Sequence, residues 1–378
     1  MKLLAAAALA LRVLLHDRAR LATSTAGIAF ALLLMLLQLG FRNSLLDSSL
    51  ELLHQLDADL VVMHRDKMPF LRRVSMPKER LYQSMSVPGV ETAYPVWIAL
   101  RHWKNLEDGT ERPIRVIGID PDDPAFLNEE VNAAAQLLKL PGTALIDRRS
   151  RRQYGRIGPG PAQVGRRPIE VIGSFSLGSD FEVDGNLIVS DATFFDFAPH
   201  QVRTVEMALV QVALGVDPSG VVSELRRVLP TDVAVYSKED LLRRDLVYWE
   251  RRTPISFILL AGVVFGFAVG VVICYQILYT NVVDHLKEFA TLKAMGYGDL
   301  FLRCVVIIKA WLLSLLGLLP GALVSACMLY GLSQATGLPA HFSWGDLLQV
   351  LLLSLGMCTL AGAMALQSVA KLDPAELY

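Results

Sequence analysis

Few residue clusters in this 378-residue chain have a spacing that could support catalysis. A phosphate-cradling loop needs G-x-x-x-x-G-K-[ST], so that backbone N–H groups and a lysine meet the phosphates. The chain has no such stretch, which excludes ATP hydrolysis by that route. Residues 155–160 (GRIGPG) fit neither a P-loop nor a dinucleotide fingerprint and read as a turn. The seven histidines form no H-E-x-x-H pair, and His285 reads as solvated. Asp57-Ala-Asp59 is an acidic pair on a strand or strand entrance, where a structural role outweighs metal binding. Cys274, Cys304, Cys327 and Cys358 all fall in or beside apolar blocks, with no zinc spacing, and read as small hydrophobes. No catalytic, cofactor-binding or metal residue is therefore assigned, and no cofactor is expected.

The elements that would position any site are mostly membrane spans. Hydrophobic residues make up 53% of the chain and charged residues only 19%, a shift toward lipid from ordinary soluble composition. A bilayer core about 30 Å thick needs about 20 apolar residues at about 1.5 Å rise each. Four stretches meet this, giving spans over residues 21–44, 255–280, 304–332 and 347–369. Residues 45–254 between the first two have soluble composition. The predicted fold is an integral membrane α-helical protein with four transmembrane helices and one large α+β periplasmic domain between helices 1 and 2.

Short segments rich in Lys and Arg stay in the cytoplasm. The N-terminal tail carries Lys2, Arg12, Arg18 and Arg20, and residues 281–303 carry Lys287, Lys293 and Arg303, whereas residues 333–346 carry none. Both termini are thus expected in the cytoplasm, with 333–346 a short periplasmic loop and 370–378 a cytoplasmic tail. Residues 1–20 read as an amphipathic helix on the cytoplasmic face rather than a cleaved signal. A net charge of −1 is neutral on nucleic acid, and none is expected as a partner.

Within the domain, residues 205–213 alternate like a strand, 218–229 have helical spacing, and 233–236 form a second strand, a β-α-β unit. Residues 115–119 and 170–175 are strand-like, and 123–140 read as a helix ended by Pro141.

Residues 284–302 (DHLKEFATLKAMGYGDLFL) are the most informative stretch. Leu286, Phe289, Ala290, Leu292, Lys293 and Met295 follow i, i+3, i+4 spacing, and Gly296 is placed to end the helix. Composition alone leaves two readings open: an interfacial helix resting in headgroups, or a ridge that docks on a cytosolic partner. On the second span, Gly262, Gly266 and Gly270 form a G-x-x-x-G-x-x-x-G face suited to close helix packing, inside one subunit or between two. Gln38 and Gln276 are polar within spans, and Lys309 can snorkel to the headgroups.

Glu288-Phe-Ala-Thr-Leu-Lys-Ala-Met-Gly296 resembles the E-x-[GA]-x-x-[KR]-A-[ML]-G stretch of MacB/FtsX-type ABC transporter permeases, and Asp373-Pro374-Ala-Glu376 resembles their x-x-P-x-E ending. Residues 20–41, Leu56-Asp-Ala-Asp-Leu60, and Phe175-Ser-Leu-Gly178 with Asp184-Gly-Asn-Leu187 look like the DevC subgroup, permeases of heterocyst-type glycolipid exporters. The N-terminal segment is richer in Ala and Leu than that pattern. The resemblance implies a non-catalytic permease of the bacterial inner membrane whose partners are a cytosolic ABC ATPase, a periplasmic membrane-fusion adaptor, a TolC-like outer-membrane duct reached through it, membrane lipid and a second copy of itself. It assigns ATPase coupling to Glu288, Phe289, Leu292, Lys293, Ala294, Met295 and Gly296. The alternative it leaves is an FtsX-like regulator of a periplasmic cell-wall hydrolase.

Overall fold

The computed structural model describes residues 18–70, 72–180, 182–284, 299–338 and 341–370, with Leu286, Thr291 and Met295 between them. The chain divides into two compact units, one of residues 1–43, 255–331 and 340–378, the other of 44–254 and 332–339.

The first unit is built from long apolar helices: α1 (Arg18–Gln55), α7 (Pro254–Asp284), α8 (Asp299–Thr336) and α9 (Trp344–Ala370), numbered in chain order with the domain helices given below. Each is long and apolar enough to cross a membrane. α1 is described from Arg18 to Gln55, so it extends beyond the expected span of 21–44, while residues 1–17 of the expected surface helix and the expected tail with Asp373 to Glu376 lie outside the described residues. Ile28, Leu32, Met35 and Leu36 of α1 pack with Val263 and Cys274 of α7, Val306 and Leu313 of α8, and Met357 and Ala361 of α9. α8 comes close to the backbone of α1. A Cβ on Gly317 would sit 3.2 Å from the Ala29 nitrogen, and one on Gly321 would sit 2.9 Å from the Ala29 carbonyl oxygen. Small residues let the two backbones meet. Several serines are satisfied inside the unit: Ser314 and Ser354 share a 2.6 Å hydrogen bond, and Ser325 Oγ donates to the Leu33 carbonyl at 3.2 Å.

The second unit carries strands β1 (Leu60–His64), β2 (Met76–Pro77), β3 (Val90–Lys104), β4 (Glu111–Ile119), β5 (Thr143–Asp147), β6 (Gly160–Val164), β7 (Arg167–Phe175), β8 (Asn186–Ser190), β9 (Thr204–Val205), β10 (Met207–Val212) and β11 (Val233–Ser237). Its helices are α2 (Glu79–Met85), α3 (Glu129–Leu138), α4 (Asp191–Phe197), α5 (Pro218–Val228) and α6 (Lys238–Arg252). Nine strands run in the order β11-β1-β10-β3-β4-β8-β5-β7-β6. An added β3–β6 pairing closes the last six of them, β3 through β6, into a ring. β3 is therefore shared by an open sheet and a small barrel.

The predicted β-α-β unit is present in split form. β10 and β11 are both antiparallel to β1, which lies between them, so they run parallel to one another. Asp217 caps α5, its side chain accepting from the Ser219 N–H at 3.2 Å, and Pro218 opens the helix, where its missing N–H costs nothing. Both faces of β1 are covered: Leu60 and Val62 join one core, Val61 and Met63 another. Two of the differences from expectation have a visible cause. The strand read over 205–213 is broken at Glu206, whose buried carboxylate turns to pair with Lys67. The helix read over 123–140 begins only at Glu129, because the Asn128 side chain caps it by accepting from the Glu130 N–H at 2.9 Å.

Candidate coupling site

α7 ends at Asp284 and α8 begins at Asp299. The connection starts at a fixed point, since Asp284 forms an ion pair with Arg20 of α1. One turn earlier, buried Asn281 accepts from Lys309 Nζ at 3.1 Å and donates to the Ile277 carbonyl at 2.8 Å. Lys309 thus has a specific polar partner on α7. Within the connection, Met295 N–H donates to the Thr291 carbonyl at 3.0 Å, the spacing of one helical turn, and Met295 is 63% exposed. An apolar side chain that open to solvent or headgroups is free to make a further contact. Glu288, Phe289, Leu292, Lys293, Ala294 and Gly296 lie outside the described residues.

The glycine face of α7 is occupied by the chain's own helices. A Cβ on Gly262 would meet the Gln38 side chain at 2.6 Å, one on Gly266 would meet Met35 Cγ at 3.1 Å, and one on Gly270 would collide with Met357 and Ala31. This arrangement also places Gln38 against α7 rather than in lipid. Gly317 and Gly321 make the same kind of contact from α8, and their G-x-x-x-G spacing was the signal that sequence reading passed over.

In the domain, the Phe175-to-Gly178 and Asp184-to-Leu187 stretches meet around one carboxylate. Buried Asp147 accepts from the Leu177 N–H at 3.1 Å, the Gly178 N–H at 2.7 Å and Asn186 Nδ2 at 2.9 Å. Asn186 Nδ2 also donates to the Gly178 carbonyl at 2.9 Å, and Gly178 has a φ of +102° that favours glycine. Beside this clamp the fully buried Arg115 pairs with Asp180 at 2.5 Å and Glu182 at 3.2 Å. Burial disfavours its charge, but the two carboxylates outweigh that and raise its pKa. Burial pushes Lys67 down, opposed by the Glu206 carboxylate beside it. Asp59 is also structural, its Oδ2 accepting from the Val212 N–H at 2.8 Å. Among the described residues no group of three His, Cys, Asp or Glu could hold a metal ion.

Arg149, beside this clamp, holds the start of the segment that joins α8 and α9. Residues 332–339 belong to the domain's compact unit. Arg149, two residues beyond Asp147, donates from Nη2 to the Gly337 carbonyl at 3.0 Å and from Nη1 to the Leu177 carbonyl at 3.4 Å. Gly337 has φ +75°, and a Cβ there would sit 2.6 Å from the Arg149 carbonyl oxygen. Arg149 and Gly337 had no sequence signal, because they are 188 residues apart.

Residues 259–374 match the family model of the FtsX-like permease C-terminal domain. That match covers most of α7, the connection holding Glu288 to Gly296, α8 and α9. Two solved structures are similar to the domain. One is the periplasmic region of MacB from Actinobacillus actinomycetemcomitans, at 11% identity over 49% of this chain and 90% of that chain, with TM-score 0.36. The other is the extracellular domain of the noncanonic ABC-type transporter YknZ from Gram-positive bacteria, at 16% identity over 48% of this chain and 99% of that chain, with TM-score 0.33. No curated protein matches the chain.

Proposed function

We propose that this chain is the membrane subunit of an ATP-driven ABC exporter, a mechanical transmitter whose ATPase is a separate polypeptide. The observation that carries the reading is the FtsX-like match over residues 259–374, which contains the Glu288-to-Gly296 stretch. In this reading Phe289, Leu292 and Met295 seat in a groove of the cytosolic ATPase. Glu288 and Lys293 set ionic register, Ala294 keeps the ridge low, and Gly296 turns the chain into α8. Movement of the connection reaches α7 through Asp284 and Asn281, which are tied to Arg20 and Lys309. Both termini face the cytoplasm of a bacterial inner membrane and the domain faces the periplasm. The domain works there with a membrane-fusion adaptor and, through it, a TolC-like duct. A homodimer would match the two-fold ATPase, and the cargo would be lipid-like or amphipathic, a glycolipid if the DevC resemblance extends to substrate.

Affinity purification of the tagged chain in mild detergent, followed by identification of bound proteins, tests this. A P-loop ATPase and a periplasmic adaptor are expected. Recovery of an ATPase with a cell-wall hydrolase and no adaptor would replace export by the regulatory reading, and absence of any ATPase would overturn both.

A further inference from the structure

β3 changes partners halfway along its length. Residues 90–96 pair with β10, while Trp103 and Lys104 pair with β6. Between them, residues 97–101 have no strand on that side among the described residues. The Val96 carbonyl accepts from the Glu206 N–H at 2.9 Å and the His102 carbonyl from the Gly165 N–H at 2.6 Å, so both point toward this side. Main-chain groups along a strand alternate between its two neighbours, so Ile98 and Leu100 must also present theirs here. Arg101 Nη1 takes up the Leu100 carbonyl at 2.7 Å. The Leu100 N–H and both main-chain groups of Ile98 have no partner among the described residues.

A cavity of about 220 Å³ lies on this open edge, walled by Arg73, Ser75, His200, Gln201 and Glu206. It has room for about seven waters at roughly 30 Å³ each, and falls short of the roughly 300 Å³ at which small-molecule sites begin. A short extended segment fits it better than a compact ligand. Two of its charges are already compensated, Glu206 by Lys67 and Arg73 by Glu182 at 3.1 Å. Arg101 differs: its guanidinium bonds only the carbonyls of Phe197, at 2.9 and 2.6 Å, and Leu100. Among the described residues it has no carboxylate within ion-pair distance, and burial works against its charge. A cation lacking a counter-ion therefore stands beside an unpaired strand edge.

We propose that this gap docks a short, extended, acidic peptide segment of a partner protein on the domain's side of the membrane. Its main chain would add to β3 at Ile98 and Leu100, and its carboxylate would meet Arg101. Strand addition supplies affinity through main-chain hydrogen bonds and specificity through the adjoining pocket. The open stretch is about 17 Å long at roughly 3.4 Å per residue, which limits the inserted segment to a few residues. Docking here does not involve the ATPase-facing connection, so the two readings can fail separately.

The test uses the purified full-length protein in detergent on an array of random acetylated and amidated hexapeptides. Retained peptides should be enriched in Asp or Glu. In solution, Arg101→Met and Gln201→Trp, which fills the cavity, should each weaken the best peptide at least ten-fold. Methylating alternate peptide nitrogens should abolish binding. An array that retains nothing or retains peptides without acidic enrichment overturns the proposal, as does parental affinity in either variant. Because Arg101 also ties β3 to the end of α4, melting curves accompany both variants. If Arg101→Met lowers the midpoint, Gln201→Trp decides alone.

Discussion

Arg149→Ala should release the segment that joins α8 to α9. The guanidinium donates to the Gly337 carbonyl at 3.0 Å and more weakly to the Leu177 carbonyl at 3.4 Å. Hydrogen bonds to charged groups contribute about 1.5–3 kcal/mol, and the half-exposed Arg149 belongs toward the lower part, at about 2 kcal/mol. At about 1.4 kcal/mol per decade, opening of residues 333–338 should become roughly 30-fold more frequent. Hydrogen–deuterium exchange on the full chain in detergent or nanodiscs reads this directly, because the Gly337 and Leu338 amides donate to the Ser333 carbonyl and Thr336 Oγ1. Exchange in β5 and β8 should stay as in the parent, since the Asp147 clamp does not use the Arg149 side chain. If the chain transmits force as proposed, export should fall while ATPase recovery is kept. Unchanged exchange in 333–338 would refute the reasoning, because the arginine would then hold nothing.

Asp245 offers a pH test. It is buried, accepts from the Phe70 N–H at 2.6 Å and Trp249 Nε1 at 3.2 Å, and burial raises its pKa to about 6. A carboxyl raised in the folded state contributes stability that is present below its unfolded pKa and lost as pH rises through 6. The parent should therefore gain about 1.4 kcal/mol between pH 7.5 and pH 5 from this group, a gain that Asp245→Asn removes. Parallel melting-midpoint profiles for the two proteins would contradict it. Gly266→Leu should overpack α7 against Met35 at a cost of about 1–3 kcal/mol and lower thermal stability without changing the oligomeric state. Loss of a dimer at parental stability would move the glycine face to a subunit contact. Leu292→Asp should lower ATPase recovery in pull-downs, since a buried apolar contact contributes roughly 1.5–3 kcal/mol and a charge adds to the loss. Gly296→Val should bind better than that variant yet export poorly. Parental binding and export by Leu292→Asp would remove the coupling assignment.

What the sequence determined by itself is local. Four spans follow from runs of apolar residues long enough for a bilayer, and α5 follows from Asp217-Pro218 at its start, because hydropathy and capping act within a few residues. The apolar ridge proposed for coupling is a pattern in the sequence, and of the residues assigned to coupling the structure describes the exposed Met295. The Asp184-to-Leu187 stretch was visible as a motif, but its work was not, since Asn186 acts through Asp147, 39 residues away. Tertiary structure decided the rest. It broke the expected strand at Glu206 for the sake of a buried Lys67 partner 139 residues distant, and it divided β3 between an open sheet and a ring. It also set the glycines of α7 and α8 against α1. A glycine pattern specifies that some helix can come close, whereas which helix does so depends on how all four pack. Burying a charge or pairing a strand edge likewise depends on a partner that chain distance hides, and so only the folded molecule could reveal it.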